Sequence, residues 1–213
     1  MYDNKSQIFG KSYENLTAEW WKWAYSIPIS ENPDYDDYEI NCSKSQIDSL
    51  WFLSGTFNHS ATRSCPVPNN VEILFPLLNS ECSYIEYPLI KSVDGLTNRA
   101  KSIQHHVDFL NATLDNQPLL KLEDYRIQSP LFIFTLPENS ILNLTRGETS
   151  SAISDGNWVF LKPLEIGKHT ITIEGSFSNG SKEYNDVTNS SIRHLAFLSD
   201  GTMNLDITWW SFL

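Results

Sequence analysis

Apolar residues between positions 16 and 27 recur at Leu16, Trp20, Trp23, Ala24 and Ile27, the spacing of one helix face. Asn15 or Thr17 can cap the start and Pro28 ends the run, so an amphipathic helix is predicted over 16–27. Trp21 and Tyr25, one turn apart, form a second aromatic edge that either completes the core or presents a ring-stacking platform. The next stretch, Asn32-Pro33-Asp34-Tyr35-Asp36-Asp37-Tyr38, is turn-forming through its Pro and Asx residues.

Beyond residue 48 the period changes. Residues 50–57 and 71–78 are short apolar runs bounded by Gly55, Pro66, Pro68 and Asn79, as expected of strands buried on both faces. Pro76 lacks an N–H and implies an edge or a bulge within the second run. Residues 94–106 return to helical spacing, with Leu96, Ala100, Ile103 and Val107 on the buried face. Downstream, Asp115-Asn116, Asn179-Gly180 and Asp200-Gly201 read as hairpin turns between apolar runs that include 109–114, 192–198 and 205–212. Further strands are expected at 131–136, 158–161 and 169–177, the last alternating Thr170, Thr172 and Glu174 with Ile171, Ile173 and Gly175. Roughly nine or ten strands at these spacings predict a mostly β chain, an antiparallel jelly-roll-like β-sandwich with an N-terminal helix and one further short helix. A single domain is expected over 1–213, with helix and extended lead-in over 1–48 and the sandwich over 49–213.

Charge narrows the function. Fifteen Lys and Arg against 26 Asp and Glu give a formal charge of −11, which disfavours nucleic acid and anionic lipid. No apolar run reaches the roughly 18 to 20 residues of a membrane-spanning helix. Eight Asn-x-Ser/Thr sequons begin at Asn4, Asn15, Asn41, Asn58, Asn111, Asn143, Asn179 and Asn189. Roughly three would arise by chance, and the excess reads either as an exported, glycosylated chain or as the bias of a Ser/Asn-rich composition. Met1 to Lys5 has no basic segment leading into an apolar one, so an exported form is expected to have lost its signal peptide.

Several stretches carry a family likeness. They are Phe9-Gly10-Lys11-Ser12-Tyr13, Glu19-Trp20-Trp21-Lys22-Trp23-Ala24, Asn32-Pro33-Asp34-Tyr35-Asp36-Asp37, Trp51-Phe52-Leu53-Ser54-Gly55-Thr56 and Arg63-Ser64-Cys65-Pro66-Val67-Pro68. Ile73-Leu74-Phe75-Pro76, Asn79-Ser80-Glu81-Cys82, Tyr125-Arg126-Ile127, Ser129-Pro130-Leu131-Phe132 and the run from Ser154 to Leu164 continue it over nearly the whole chain. In these the sequence resembles a family of uncharacterised exported proteins from archaea, notably ammonia-oxidising lineages, and from some bacteria. The resemblance implies export behind a cleaved signal, an extracellular or cell-surface location and one β-rich domain. It brings no activity. The sequence departs from that pattern at Asp115-Asn116, where Asp-Gly is usual, and at Asn69-Asn70, where a glycine is usual.

Candidate chemistry is sparse. Three cysteines allow one disulfide, and Cys42 and Cys65, flanking the strand at 50–57, are the expected pair, leaving Cys82 as a buried inert thiol or, with His59 or His106 as base, a nucleophile. If the strands at 50–57 and 71–78 are neighbours, their following loops can bring Glu81, His59 and Arg63 together, as a carboxylate–imidazole acid–base pair with a cation for an anionic substrate or as an Arg63–Glu81 ion pair. Asp34, Asp36 and Asp37 resemble part of a calcium loop but lack its glycine and distal Glu, and no other cofactor is implied. Trp21, Tyr25, Tyr35 and Tyr38 are the candidate platform for a glycan or small molecule. Two functions are expected: a binding or structural module outside the cytoplasm, carbohydrate being the natural ligand, or an extracytoplasmic hydrolase centred on Glu81.

Overall fold

The computed structural model describes residues 1–35, 41–47, 49–55, 62–143, 147–177 and 202–208, with Thr62 and 202–208 described by backbone alone. Eleven strands and two α-helices lie among them. The first sheet is built from β1 (Leu50–Phe52), β4 (Glu72–Ser83), β9 (Thr149–Leu161) and β7 (Arg126–Gln128) in that order, with β8 (Phe132–Thr135) also paired to β9. The second contains β2 (Thr62–Arg63), β11 (Thr202–Thr208), β10 (His169–Phe177), β5 (Val107–Leu114) and β6 (Gln117–Pro118) in that order, with β3 (Pro66–Pro68) paired to β11. Most pairs are antiparallel, as expected. Two are not: β1 runs parallel to β4, with Leu50 opposite Glu72, and β10 runs parallel to β11, with His169 opposite Leu205.

Helix α1 (Tyr13–Ser26) begins three residues before its expected start, at the N-cap position Ser12. It buries Tyr13, Leu16, Ala18, Trp20, Trp21, Trp23, Ala24 and Tyr25, more than one stripe, because it lies across β7, β8 and β9. Such enclosure strands polar ring atoms, and two are satisfied by main-chain carbonyls: Trp20 Nε1 donates to Leu53 O at 2.8 Å and Trp23 Nε1 to Lys44 O at 2.9 Å. Helix α2 (Val93–Gln104) is capped by Ser92, whose hydroxyl accepts from Gly95 N at 3.1 Å, and it buries Leu96, Ala100 and Ile103 as expected. Val107 belongs instead to β5.

The first sheet is therefore covered on both faces. Phe52, Leu74, Trp158 and Phe160 pack with α1, whereas Ile73, Phe75, Leu77, Val159 and Leu161 share a core with Val67, Ala112, Ile171 and Ile173 of the second sheet. Helix α2 covers the remainder of that far face through Cys82 and Ile153.

Pro76 sits where β4 lies between two partners, and the ladder absorbs its missing N–H with a bulge: Pro76 pairs with Trp158 and Leu78 with Asn157, skipping Leu77. The extra residue inverts the alternation of side chains. Ile73, Phe75 and Leu77 point toward the second sheet, but after the bulge it is Leu78, Ser80 and Cys82 that do so. Asn79, Glu81 and Ser83 are thereby turned toward α1. Close packing at this crossover needs glycine opposite: a Cβ on Gly156 would lie 2.4 Å from Asn79 Cβ, and one on Gly175 would lie 2.7 Å from Leu78 Cδ1.

Three non-glycine turn residues adopt left-handed backbone. Asp115 and Asn116, at φ 53° and 63°, form the β5–β6 hairpin turn, and Asn70, at φ 58°, turns the chain from β3 into β4. Asx side chains tolerate that region, so the turns survive without glycine. The hairpin turns expected at Asn179-Gly180 and Asp200-Gly201, and the strand expected at 192–198, lie outside the described residues.

Candidate functional site

Glu81 is where the bulge matters. Facing α1 on β4, its side chain is only 8% exposed, and its Oε2 accepts a 2.5 Å hydrogen bond from the Tyr25 hydroxyl in the last turn of the helix. The tight turn after β4 returns Glu86 to the same place. Ser83 donates its hydroxyl to Glu86 Oε2, the Tyr87 N–H bonds Ser83 O at 2.9 Å, and both Glu86 and Ser83 are near enough to act on the Glu81 carboxyl. Burial, followed by the adjacent Glu86 charge, holds the Glu81 carboxyl well above the usual carboxylate range; the Tyr25 and Ser83 hydroxyls pull it back only in part. Burial and Glu81 in turn push the Tyr25 phenol up.

Across the ladder Glu81 pairs with Ser154 of β9. Ser154 exchanges its main-chain bonds with Ser129 on its other side, donating its N–H to Ser129 Oγ at 2.8 Å and accepting from Ser129 N at 2.9 Å. Glu81 and Ser154 are therefore a non-hydrogen-bonded pair, the kind whose side chains stand closest, with Cβ atoms about 5 Å apart. Glu81 Oε1 and Ser154 Oγ are both buried, and neither has a well-formed hydrogen bond.

Of the expected constellation, Glu81 and Arg63 are held by different neighbours. Arg63 is buried, but its Nη1 donates to Gly55 O at 2.5 Å and to Ser54 Oγ at 3.1 Å, and its Nη2 to the main-chain carbonyl of Asp34 at 3.2 Å. It is held by the end of β1 and the turn after α1, while Glu81 is held by α1 and the turn after β4. His59 lies outside the described residues. The reason is the bulge together with β2: Arg63 leaves the first sheet to pair with β11 in the second, opposite Ile207.

Asp34 is placed by the end of α1. Asn32 Nδ2 caps that helix by donating to Ala24 O at 2.7 Å, and Asn32 Oδ1 accepts from Asp34 N at 3.0 Å, starting the short 3-10 turn Pro33–Tyr35. The Asp34 carboxyl is buried, and among the described residues neither oxygen accepts a well-formed hydrogen bond. Burial raises it to about 6, with the Arg63 charge and the Gly55 N–H pulling it down incompletely. Asp36 and Asp37, its expected companions around calcium, lie outside the described residues, and among those described no three His, Cys, Asp or Glu side chains cluster as metal ligands.

Two of the four expected platform rings belong to the core. Trp21 is 6% exposed and Tyr25 3%, their rings 5.3 Å apart within the core, and Tyr25 stacks at 4.5 Å on Phe134 of β8. A ring buried on both faces cannot receive a sugar. Tyr35 is 41% exposed, and Tyr38 lies outside the described residues.

Cys42 and Cys65 form a disulfide, with Cα atoms 5.9 Å apart. Cys82 is free and buried against α2, and burial, then the Glu81 and Glu86 charges, push its thiol up, away from the reactive thiolate.

The sequence reading missed Glu86, Ser83 and Ser154 as neighbours of Glu81. The signal for the first was present: Ser83-x-x-Glu86 is the spacing at which a serine hydroxyl and a carboxylate meet in one turn. Ser154 has no local signal, since only strand register brings it there. The chain matches no family model, no curated protein and no solved structure.

Proposed function

We propose that this chain is an extracytoplasmic β-sandwich module that works by binding or scaffolding. The observation that carries the reading is the Cys42–Cys65 disulfide, because such bonds persist in oxidising compartments and are rare in reducing ones. The bridge ties the segment after α1 to the core shared by the two sheets, where Cys65 is buried beside Val67 and Phe75. That shared core supports packing of the sheets as a sandwich, and a formal charge of −11 suits a chain held in solution by its surface. With Trp21 and Tyr25 in the core, glycan binding rests on Tyr35. The test is fractionation of native cells followed by thiol counting in denaturant. Protein in the extracytoplasmic fraction with one free thiol, Cys82, supports the proposal; protein in the cytoplasm with all three cysteines free refutes it. A glycan array tests the ligand, and a blank array removes carbohydrate.

One observation favours a second reading, an extracytoplasmic hydrolase. Glu81 is a buried carboxyl held by a tyrosine and set beside a second carboxylate, an arrangement suited to proton transfer. Arg63 would take no direct part, being held by other neighbours. Unchanged hydrolysis by Glu81→Gln across ester, peptide and glycoside substrates ends this reading.

A further inference from the structure

We infer that Glu81, Glu86 and Ser154 form a binding site for a hard divalent cation of calcium's class, with the Ser83 hydroxyl at its rim. Two carboxyl groups meet here and one is buried, so ionising Glu81 beside Glu86 needs a positive partner; Tyr25 serves only Glu81 Oε2. The second, independent observation is Ser154: its hydroxyl is fully buried, has no hydrogen bond, and faces Glu81 across a non-hydrogen-bonded pair. Glu81 Oε1 and Ser154 Oγ thus sit at directly paired positions on one face of the sheet, both buried and both without a bond, where a single ion can serve both.

The groups brought together here offer oxygen: Glu81 Oε1, the Glu86 carboxylate, Ser154 Oγ and Ser83 Oγ, whose proton is already directed at Glu86. Oxygen-only donor sets suit hard cations, and calcium accepts six to eight of them at about 2.3–2.6 Å, with water completing the shell. Glu86 is exposed and gives the ion its route from solvent. A proton shared by the two carboxyls would satisfy Glu81 Oε1 but leave Ser154 Oγ without a partner; a cation satisfies both. The site is separate from the acidic stretch at Asp34, whose carboxyl lies beside Arg63, and it does not depend on the function proposed above.

Terbium, a calcium mimic, is the probe, because Tyr25 and Trp21 lie close enough to sensitise its emission. The full chain is expected to show sensitised emission that calcium displaces. Calcium at about 100-fold over its Kd should raise the melting midpoint by about 5–10 °C over the chelated protein. Glu86→Gln, at an exposed position that leaves the core intact, and Ser154→Ala should each weaken terbium binding about tenfold or more, while Asp34→Asn leaves it unchanged. The proposal is overturned if the unsubstituted chain shows neither emission nor a calcium shift, or if Glu86→Gln leaves both intact, which would put the ion elsewhere. It is equally overturned if Glu86→Gln raises the midpoint alike with calcium and with chelator, the behaviour of a shared proton alone.

Discussion

Replacing Asp34 by Asn should stabilise the protein at neutral pH and do nothing in acid. In the native state the Asp34 carboxyl is raised from 3.8 to about 6 because burial outweighs the pull of Arg63 and of the Gly55 N–H. A group whose folded pKa lies above its unfolded value binds its proton more tightly when folded. Stability is therefore greatest below the unfolded value and falls as pH rises through the window from about 4 to about 6, after which the loss is constant. A shift of this size corresponds to about 3 kcal/mol. Asn keeps the shape of the protonated form and never ionises. It also leaves the Arg63 bonds to Gly55 O, Ser54 Oγ and Asp34 O, since none of these uses the Asp34 side chain. Asp34→Asn should thus melt about 6–12 °C above the unsubstituted chain at about pH 8, with the gap closing by about pH 4. Melts followed by tryptophan fluorescence across that range measure the gap directly, and groups common to both proteins cancel. A variant that is less stable at about pH 8, or a gap of equal size at both ends, would show that the Arg63 attraction outweighs burial and would refute the reasoning.

Four further outcomes follow from the packing. Cys42→Ser with Cys65→Ser opens a loop whose ends are 23 residues apart and should cost about 3 kcal/mol in denaturant titration, the reduced unsubstituted protein behaving alike. Gly156→Ala forces a Cβ against Asn79 and should cost more than about 3 kcal/mol or abolish soluble expression; a loss under about 1 kcal/mol contradicts the packing at the crossover. Tyr25→Phe strips the donor from buried Glu81 Oε2 and should cost about 1–3 kcal/mol, read from the same titration. Iodoacetamide should leave Cys82 unlabelled in the native protein and label it fully in denaturant; rapid native labelling would contradict its burial.

Local pattern alone was enough for the two helices, the hairpin turn at Asp115-Asn116, the alternating strand at His169–Phe177 and the pairing of Cys42 with Cys65. Each is encoded within a few turns or one short loop: a stripe of apolar residues, an Asx pair that tolerates left-handed backbone, two cysteines either side of a strand. Tertiary structure decided the rest. Pro76 announces a bulge in the sequence, but only the pairing of β4 with β9 shows that the bulge inverts every side chain after it, carrying Glu81 to Tyr25 and Cys82 to α2. Trp21 and Tyr25 read more readily as core than as platform, and β8 laid against them places them in the core. Arg63 parts from Glu81 because its strand joins the other sheet, and Ser154 reaches Glu81 through register across more than seventy residues of chain. A residue's own neighbours set its backbone preference, whereas which face it occupies and what it meets there depend on distant partners and on the count of residues between them.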